Sequence, residues 1–377
     1  MTAVIALLAA LAAAAAPAPA RTTAAAGGAT PTGPSRLARP AGPASTAGKP
    51  GSPPAAEPSE IPVPMLGTLT DFGTWSVGCD NTLRCTAVSQ LEPRERRTWV
   101  VVRREGAPRA EPEVVVATSE PLPATLAIDG KPVPVARRQP PAASQNELLV
   151  EPRAVRALLE QALAGKRLAA LDPAGEVIGT VPLLDLADAL RAVDEAQHRE
   201  GTVTALVSRG KKPAAAVPPA PAAPVVVVRP LPPPRRQELT AGEMAALGAV
   251  SGCTAGAEAG SVSAAPLDAD RALVLVVCLA RTSGTIAVPL VITRAGHGWV
   301  AERPRFDYPP PQRYGDGPAL ADAGWDHREA ALSDGTAGGA HGQRTWAWDG
   351  AVFRLVAASA PGAAVPIPIW RAVVRAR

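Results

Sequence analysis

Proline, and where it is concentrated, sets the outer limits of any fold this chain can adopt. The prolyl ring fixes φ near −65° and removes a backbone donor, so runs rich in it interrupt helices and central strands alike. The chain carries 43 prolines in 377 residues, and they cluster. Residues 21–64 are almost wholly Ala, Pro, Gly, Thr and Ser. A segment with so little to bury cannot offset its ordering entropy, and it reads as a flexible tether. Residues 211–236, centred on Pro213 to Pro234, repeat the pattern and read as a semi-rigid linker of extended polyproline character. A Pro-rich recognition ligand is the sharper alternative for that stretch, and a spacer the simpler reading. What remains is two regions with enough apolar residues to build cores, 66–210 and 237–377, a length suited to two domains.

Ahead of the tether, Met1 to Ala16 contain an alanine-rich apolar run, about 14 residues long, which suits the h-region of a secretory signal and is too short to span a bilayer. Ala18-Pro19-Ala20 supplies the small-x-small pattern of a cleavage site, so residues 1–20 read as a signal peptide removed before Arg21. No Lys or Arg precedes the run; an Ala-rich tail is the alternative reading. No later apolar stretch approaches the roughly 18 residues a transmembrane helix needs. The first cysteine, Cys79, lies far from the cleavage site, which argues against lipid attachment at a new N-terminal cysteine. The net charge is +4, and only five of the 38 basic residues are lysine. They are spread along the chain, whereas a nucleic-acid binder shows a basic stripe, so no nucleic-acid partner is expected.

Four cysteines, Cys79, Cys85, Cys253 and Cys278, form an even set in an expected oxidising compartment. Three pairings are possible. Cys79–Cys85 with Cys253–Cys278 is preferred because each pair is local and falls within one region. In the chain-entropy model such loops contribute about 2.3 and about 3.5 kcal/mol, a large part of a typical stability of about 5–15 kcal/mol. Zinc needs a closer spacing than the C-x5-C of the near pair, so no metal site is assigned.

Periodicity predicts an α+β architecture, mainly antiparallel β. In 66–210, Trp75, Val77 and Cys79 alternate onto one face, and Asp80-Asn81 offers a turn before Cys85, so the first disulfide would staple a hairpin. Thr98 to Arg103 and Val114 to Ala117 are short β-branched runs. Leu122 to Val135 is a hairpin around Asp129-Gly130, with Leu126 opposite Val133 and Ala124 opposite Val135. A helix follows between Pro152 and Gly165, then a strand pair from Leu168 to Val181, then a helix from Leu184 to His198 stopped near Gly201. The two helices are expected to pack on a small sheet. In 237–377, the capping box Thr240-x-x-Glu243 opens a short helix to Leu247. The rest is mostly strand: Leu273 to Leu279, Thr285 to Thr293 with Trp299 across Gly296-His297-Gly298, and Arg344 to Leu355, where a tight Asp349-Gly350 turn would set Trp346 opposite Phe353.

Three phrases, in order, are similar to one family. They are F-G-T-W-S-V-G-C-D-N with Cys85 after it, D-E-A-Q-H-R-E-G-T-V-T-A-L-V from Asp194 to Val207, and W-A-W-D-G-A-V-F-R-L from Trp346 to Leu355. Together they resemble the DUF1176 family of exported bacterial proteins of unknown function over nearly all of 66–377. The first half also resembles the invasion-associated locus B family, through the W…C…C opening and the helix-Gly-strand-helix segment 151–196. The resemblance implies a Gram-negative periplasmic or outer-envelope setting and brings no catalytic residue. Three departures stand out. Cysteines that similar proteins carry are missing from the loop Gly338 to Gly342 and from the turn Ser359 to Gly362, and the phrase after Cys278 lacks a G-A-Y-N-like sequence.

No catalytic signature is present: no G-x-S-x-G, no H-E-x-x-H, no phosphate-binding Gly loop. Two groups remain as candidate binding residues. Asp194, Glu195, Gln197 and Arg199 close the second helix, where a fixed polar junction is the simpler reading. Asp326, His327 and His341 sit in the polar stretch 307–342, read as a long loop whose carboxylates and imidazoles suit a cation or acid–base work, or simply solvated turns. The expectation is an exported binding or interaction module without catalytic residues, metal or cofactor, whose partner is an envelope protein or a small ligand. The alternative is a periplasmic hydrolase or metal-binding protein with its site in 307–342. The sequence assigns no oligomeric state. Peptide mass mapping of the mature protein should give an N-terminus at Arg21 and no free thiol; an N-terminus at Met1, or four free cysteines, would overturn the export reading.

Overall fold

The computed structural model describes residues 63–377, except 91–97, 119–122, 134–136, 139–146, 235–238, 254–263, 282–283, 297, 336–341 and 362–364. Residues 60–377 form one compact unit. Its architecture is α+β and mainly antiparallel: among the named strands described, Val225–Val228 with Val373–Ala376 is the one parallel pair.

The first region is built on an antiparallel sheet of seven strands, ordered Leu69–Phe72, Trp75–Cys79, Cys85–Ser89, Thr98–Arg104, Glu113–Thr118, Glu147–Val150 and Arg137–Arg138. Cys79 and Cys85 are direct cross-strand partners and are disulfide-bonded, with Cα atoms 4.0 Å apart. The bond therefore staples the hairpin that alternation and the Asp80-Asn81 turn predicted. A four-stranded sheet runs in the order Val177–Pro182, Arg167–Leu171, Thr125–Ile128 and Lys131–Val133. Leu126 pairs with Val133 as expected; the expected Ala124–Val135 pair lies outside the described residues. Helix α1 (Pro152–Ala164) has its proline in the first turn and Gly165 at its C-cap. It buries Val155, Leu158, Leu159 and Ala162. Helix α2 (Leu186–Ala196) buries Leu186, Ala189, Leu190 and Val193. This spacing is one apolar stripe at helical period, the arrangement that makes a helix stable only when packed.

The first of the three phrases explains itself in this core. Trp75 is fully buried and its indole N–H donates to the Pro182 carbonyl at 3.2 Å. Gly73 turns at φ 52°, and any Cβ there would run into the Asp185 carboxylate that opens α2. Only glycine satisfies both conditions at once.

In the second region, helix α3 (Ala241–Ser251) opens on the predicted capping box, with the Thr240 side chain accepting from the Glu243 N–H and the Glu243 carboxylate accepting from Thr240 N–H at 2.7 Å. It runs one turn beyond Leu247. Cys253, just past the Gly252 C-cap, is bonded to Cys278, which sits at the bulge of the long strand Arg271–Arg281 opposite Gly284–Ala295. That strand pair belongs to a six-stranded sheet, and Arg294 pairs with Trp299 as read. A five-stranded sheet follows the order Gly324–Asp326, Ala331–Asp334, Gln343–Trp348, Phe353–Ala360, Ile367–Arg371.

One predicted register is wrong. Trp346 lies opposite Leu355, and Trp348 opposite Phe353. The loop holds four residues because the Asp349 carboxylate accepts from both Ala351 and Val352 N–H groups at 2.8 Å, closing a wider turn than Asp349-Gly350 alone would make. Phe353 is core all the same, with ring centroids of Trp348 at 4.9 Å and Phe306 at 5.4 Å.

The strand Ile367–Arg371 packs on the outer face of the first region, where Ile367 joins Val88, Val101 and Val115. Asn81 locks it there: its amide N–H donates to the Arg371 carbonyl at 3.0 Å, and its carbonyl accepts from the Arg371 N–H at 2.8 Å. The side chain thus substitutes for one residue of a β-ladder. The Arg371 guanidinium completes the lock on Thr82 at 2.7 Å and on the buried Asp80 carboxylate at 3.1 Å. Within the Pro-rich stretch read as a linker, Val225–Val228 is a strand, and the imidazole of His327 donates to the Pro232 carbonyl at 2.8 Å. Replacing Asn81 with alanine removes both arms of the clamp and should destabilise the chain by about 1–3 kcal/mol; urea unfolding followed by tryptophan fluorescence measures it, and an unchanged midpoint would show the clamp idle.

Candidate functional site

The last turn of α2 carries the first candidate group, and the structure gathers three of its four residues around a partner the sequence reading did not include. Asp194 lies on the same buried stripe as Leu190, so its carboxylate points inward. It accepts from Arg104 Nη2 at 2.7 Å and from the backbone N–H groups of Leu206 and Val207 at 2.7 and 2.9 Å. Gln197 Oε1 accepts from Arg104 Nε at 2.6 Å and from Arg199 Nε at 2.9 Å, while its amide donates to the Leu83 carbonyl at 2.7 Å. Arg199 donates to the carbonyls of Pro108, at 2.8 Å, and Ala107, and to Thr204 Oγ1 at 3.1 Å. Arg104, Asp194, Gln197 and Arg199 are each at most 2% exposed. Glu195 is on the solvent side of the helix and takes no part.

Burial pulls both guanidiniums below their ordinary range, Arg199 to about 10 with the charge of Arg104 adding to the effect, and Asp194 opposes it. Both stay ionised at neutral pH. Asp194 pairs directly with Arg104 and acts on Arg199 through its charge, while carbonyl oxygens and Thr204 take the remaining donors. This group is closed to ligands; it holds the turn 199–212 against the strand Thr98–Arg104.

The second candidate group does not assemble in the same way. The stretch 307–342, read as one loop, contains the strands Gln312–Tyr314, Gly317–Ala321, Gly324–Asp326 and Ala331–Asp334, because Leu320 and Leu332 alternate into the core. Several of its carboxylates serve the backbone. Asp322 accepts from the Thr285 N–H at 2.8 Å, Asp334 from Ala321 at 2.7 Å, and Asp326 from Arg328 at 2.8 Å. His341 lies outside the described residues. Among the described residues no group of three or more His, Cys, Asp or Glu is placed to hold a metal ion.

A cleft of about 700 Å3 opens between the strand Val225–Val228, paired in parallel with Val373–Ala376, and residues of the sheet strands Phe353–Ala360 and Ile367–Arg371. Its walls include Val225, Val227, Leu355 and Trp370, and its charges are Asp307, Asp349, Arg229, Arg354 and Arg377. Asp349 is paired with Arg354 Nε at 2.7 Å. Asp307 accepts from the Leu355 N–H at 2.8 Å, and burial holds its carboxyl above the usual carboxylate range. Arg229 lies along the Asp349-Gly350 turn, where a Cβ on Gly350 would sit 3.4 Å from its Cδ and Nε. The size suits a small-molecule site. Asp307 falls at the start of the stretch 307–342 singled out in the sequence; none of these residues was among the named candidates. The one available signal was the run Val225 to Val228, four β-branched residues inside a Pro-rich stretch and matched by Val373-Val374 near the C-terminus.

Fold and sites together define a disulfide-stapled, mainly antiparallel β protein with a buried ionic knot in one region and an open, largely apolar cleft in the other. A family model, Protein of unknown function (DUF1176), matches residues 69–377, and the chain belongs to that family. No curated protein and no solved structure matches it. Asp194→Ala, which strands two buried guanidiniums, should cost about 3–5 kcal/mol, whereas Glu195→Ala should stay within about 0.5 kcal/mol; denaturant midpoints of the two variants decide, and equal losses would refute the assignment of the knot.

Proposed function

We propose that this chain is an exported cell-envelope protein, periplasmic or secreted, that works by binding and carries out no reaction of its own. One observation carries the reading: the cleft is lined by apolar side chains, three arginines and two aspartates, and no serine, cysteine or histidine stands among the described residues lining it. Both aspartates are already engaged, Asp349 by Arg354 and two backbone N–H groups and Asp307 by the Leu355 N–H. The export half of the reading is supported by two disulfides, which persist in oxidising compartments, and by the signal-like first 20 residues. No described helix is long and apolar enough to cross a membrane. The hydrolase or metal-binding alternative loses ground where it was expected to stand, since Asp322, Asp326 and Asp334 are each committed to backbone N–H groups.

Site-specific photo-crosslinking in cells tests the proposal. A crosslinker at Val227, on the cleft wall, should give a mass adduct in protein recovered from the periplasmic or culture fraction. The same group at Val177, equally exposed on the other region, should not. Adducts at neither position, or recovery from the cytoplasmic fraction alone, would overturn it.

A further inference from the structure

The cleft carries more information than its size. Its two carboxylates are already answered: Asp349 by Arg354 and by two backbone N–H groups, Asp307 by the Leu355 N–H. Two of its cations are not. Among the described residues neither Arg229 nor Arg377 makes a side-chain hydrogen bond or ion pair, and both are exposed at the cleft. The Arg377 backbone is fixed by its N–H donating to the Val228 carbonyl at 2.9 Å, so its side chain leaves from an anchored strand end. The side-chain charges are three arginines against two aspartates. The rest of the lining is apolar, with Val225 and Val227 each 48% exposed on one wall and Leu355 and Trp370 on the other.

Resting on the reading of the cleft as a binding site, we infer that its ligand is a single-chain amphiphile with an apolar body and one anionic head group, a carboxylate or phosphate monoester. The apolar walls take the body, and the free guanidiniums of Arg229 and Arg377 take the head. Arginine suits such an anion because its fork donates two parallel hydrogen bonds to carboxylate or phosphate oxygens. A cationic amphiphile meets no free side-chain carboxylate among the described residues that line the cleft. A polyanion, such as an acidic peptide, meets Asp307 and Asp349 once these two guanidiniums are satisfied. The free charge and the apolar area therefore select the same class of ligand.

Isothermal titration of the full chain with dodecanoate below its micelle concentration, with dodecyl phosphate, and with dodecyltrimethylammonium tests this. The two anions should bind and the cation should bind at least tenfold more weakly. Arg229→Ala with Arg377→Ala should weaken the anions by about tenfold or more, the size of a lost charge-assisted hydrogen bond. Among the described residues neither side chain has a partner whose loss would disturb folding. Val227→Trp, which fills the cleft from an exposed position, should weaken all three probes.

Equal binding of anions and cation, unaffected by the arginine variants but abolished by Val227→Trp, would overturn the anionic specificity while leaving an apolar binding cleft. Failure of every probe to bind would overturn the amphiphile, and the Val227 crosslink would then report separately on whether the cleft binds anything. Co-sedimentation with phosphatidylglycerol vesicles in place of binding to monomeric dodecanoate would also overturn it, and would assign a lipid surface instead.

Discussion

Two guanidiniums beside one carboxylate are an expensive thing to bury, and the first region is organised around meeting that cost. The effective penalty for desolvating an ion is several kcal/mol, and Arg104 and Arg199 carry an excess of one charge. They stay buried because Asp194 and Gln197 hold them from one side and the carbonyls of Pro108, Ala107 and Thr204 from the other. The same contacts bring together a β-strand, the end of α2 and the chain reversal after it. His198 (φ 54°) and Gly201 (φ 72°) make that reversal possible. Removing Asp194 leaves Arg104 charged without its ion-pair partner, and removing Gln197 leaves the Nε donors of both arginines without their acceptor, so the four do not act as a simple sum of pairs.

From this anchored region the rest of the chain is laid on by clamps that substitute side chains for backbone. Asn81 behaves as one rung of a ladder against Arg371. Asp322 and Asp334 do the same work for Thr285 and Ala321. Polar residues that resemble candidate ligands in a linear sequence are here backbone partners. A short carboxylate satisfies an exposed N–H at a strand end or turn at little entropic cost, since few rotors are frozen. The cleft differs because two of its arginines, Arg229 and Arg377, are exposed and make no side-chain hydrogen bond or ion pair among the described residues.

Much of the secondary structure was legible because it depends on local spacing. Pro152 and Gly165 bracket α1, Thr240 and Glu243 open α3, and Cys79 and Cys85 face each other across a turn whose residues suit it. The hairpin at Asp349 was placed in the wrong register because the choice between a two-residue and a four-residue loop depends on a carboxylate's hydrogen bonds, and Asp-Gly is compatible with both. Of the candidate residues, Asp194, Gln197 and Arg199 do meet in space, but Arg104, which unites them, comes from a strand some 90 positions earlier. Nothing local marks it among its β-branched neighbours.

The sequence by itself determined the α+β class and most element positions, which follow from residue type and local spacing; it favoured one of three cysteine pairings, the one the structure contains, and it resembled the family whose model matches residues 69–377. Only the tertiary structure decided that Val225–Val228 pairs in parallel with Val373–Ala376, and with it the cleft between that pair and the neighbouring sheet. A pairing between segments about 150 residues apart costs loop-closure entropy that no local preference reveals. It is repaid by apolar contacts and backbone hydrogen bonds that exist only once both regions have folded. The buried knot and the unpaired arginines have the same origin: whether a charge is answered depends on what the fold brings next to it.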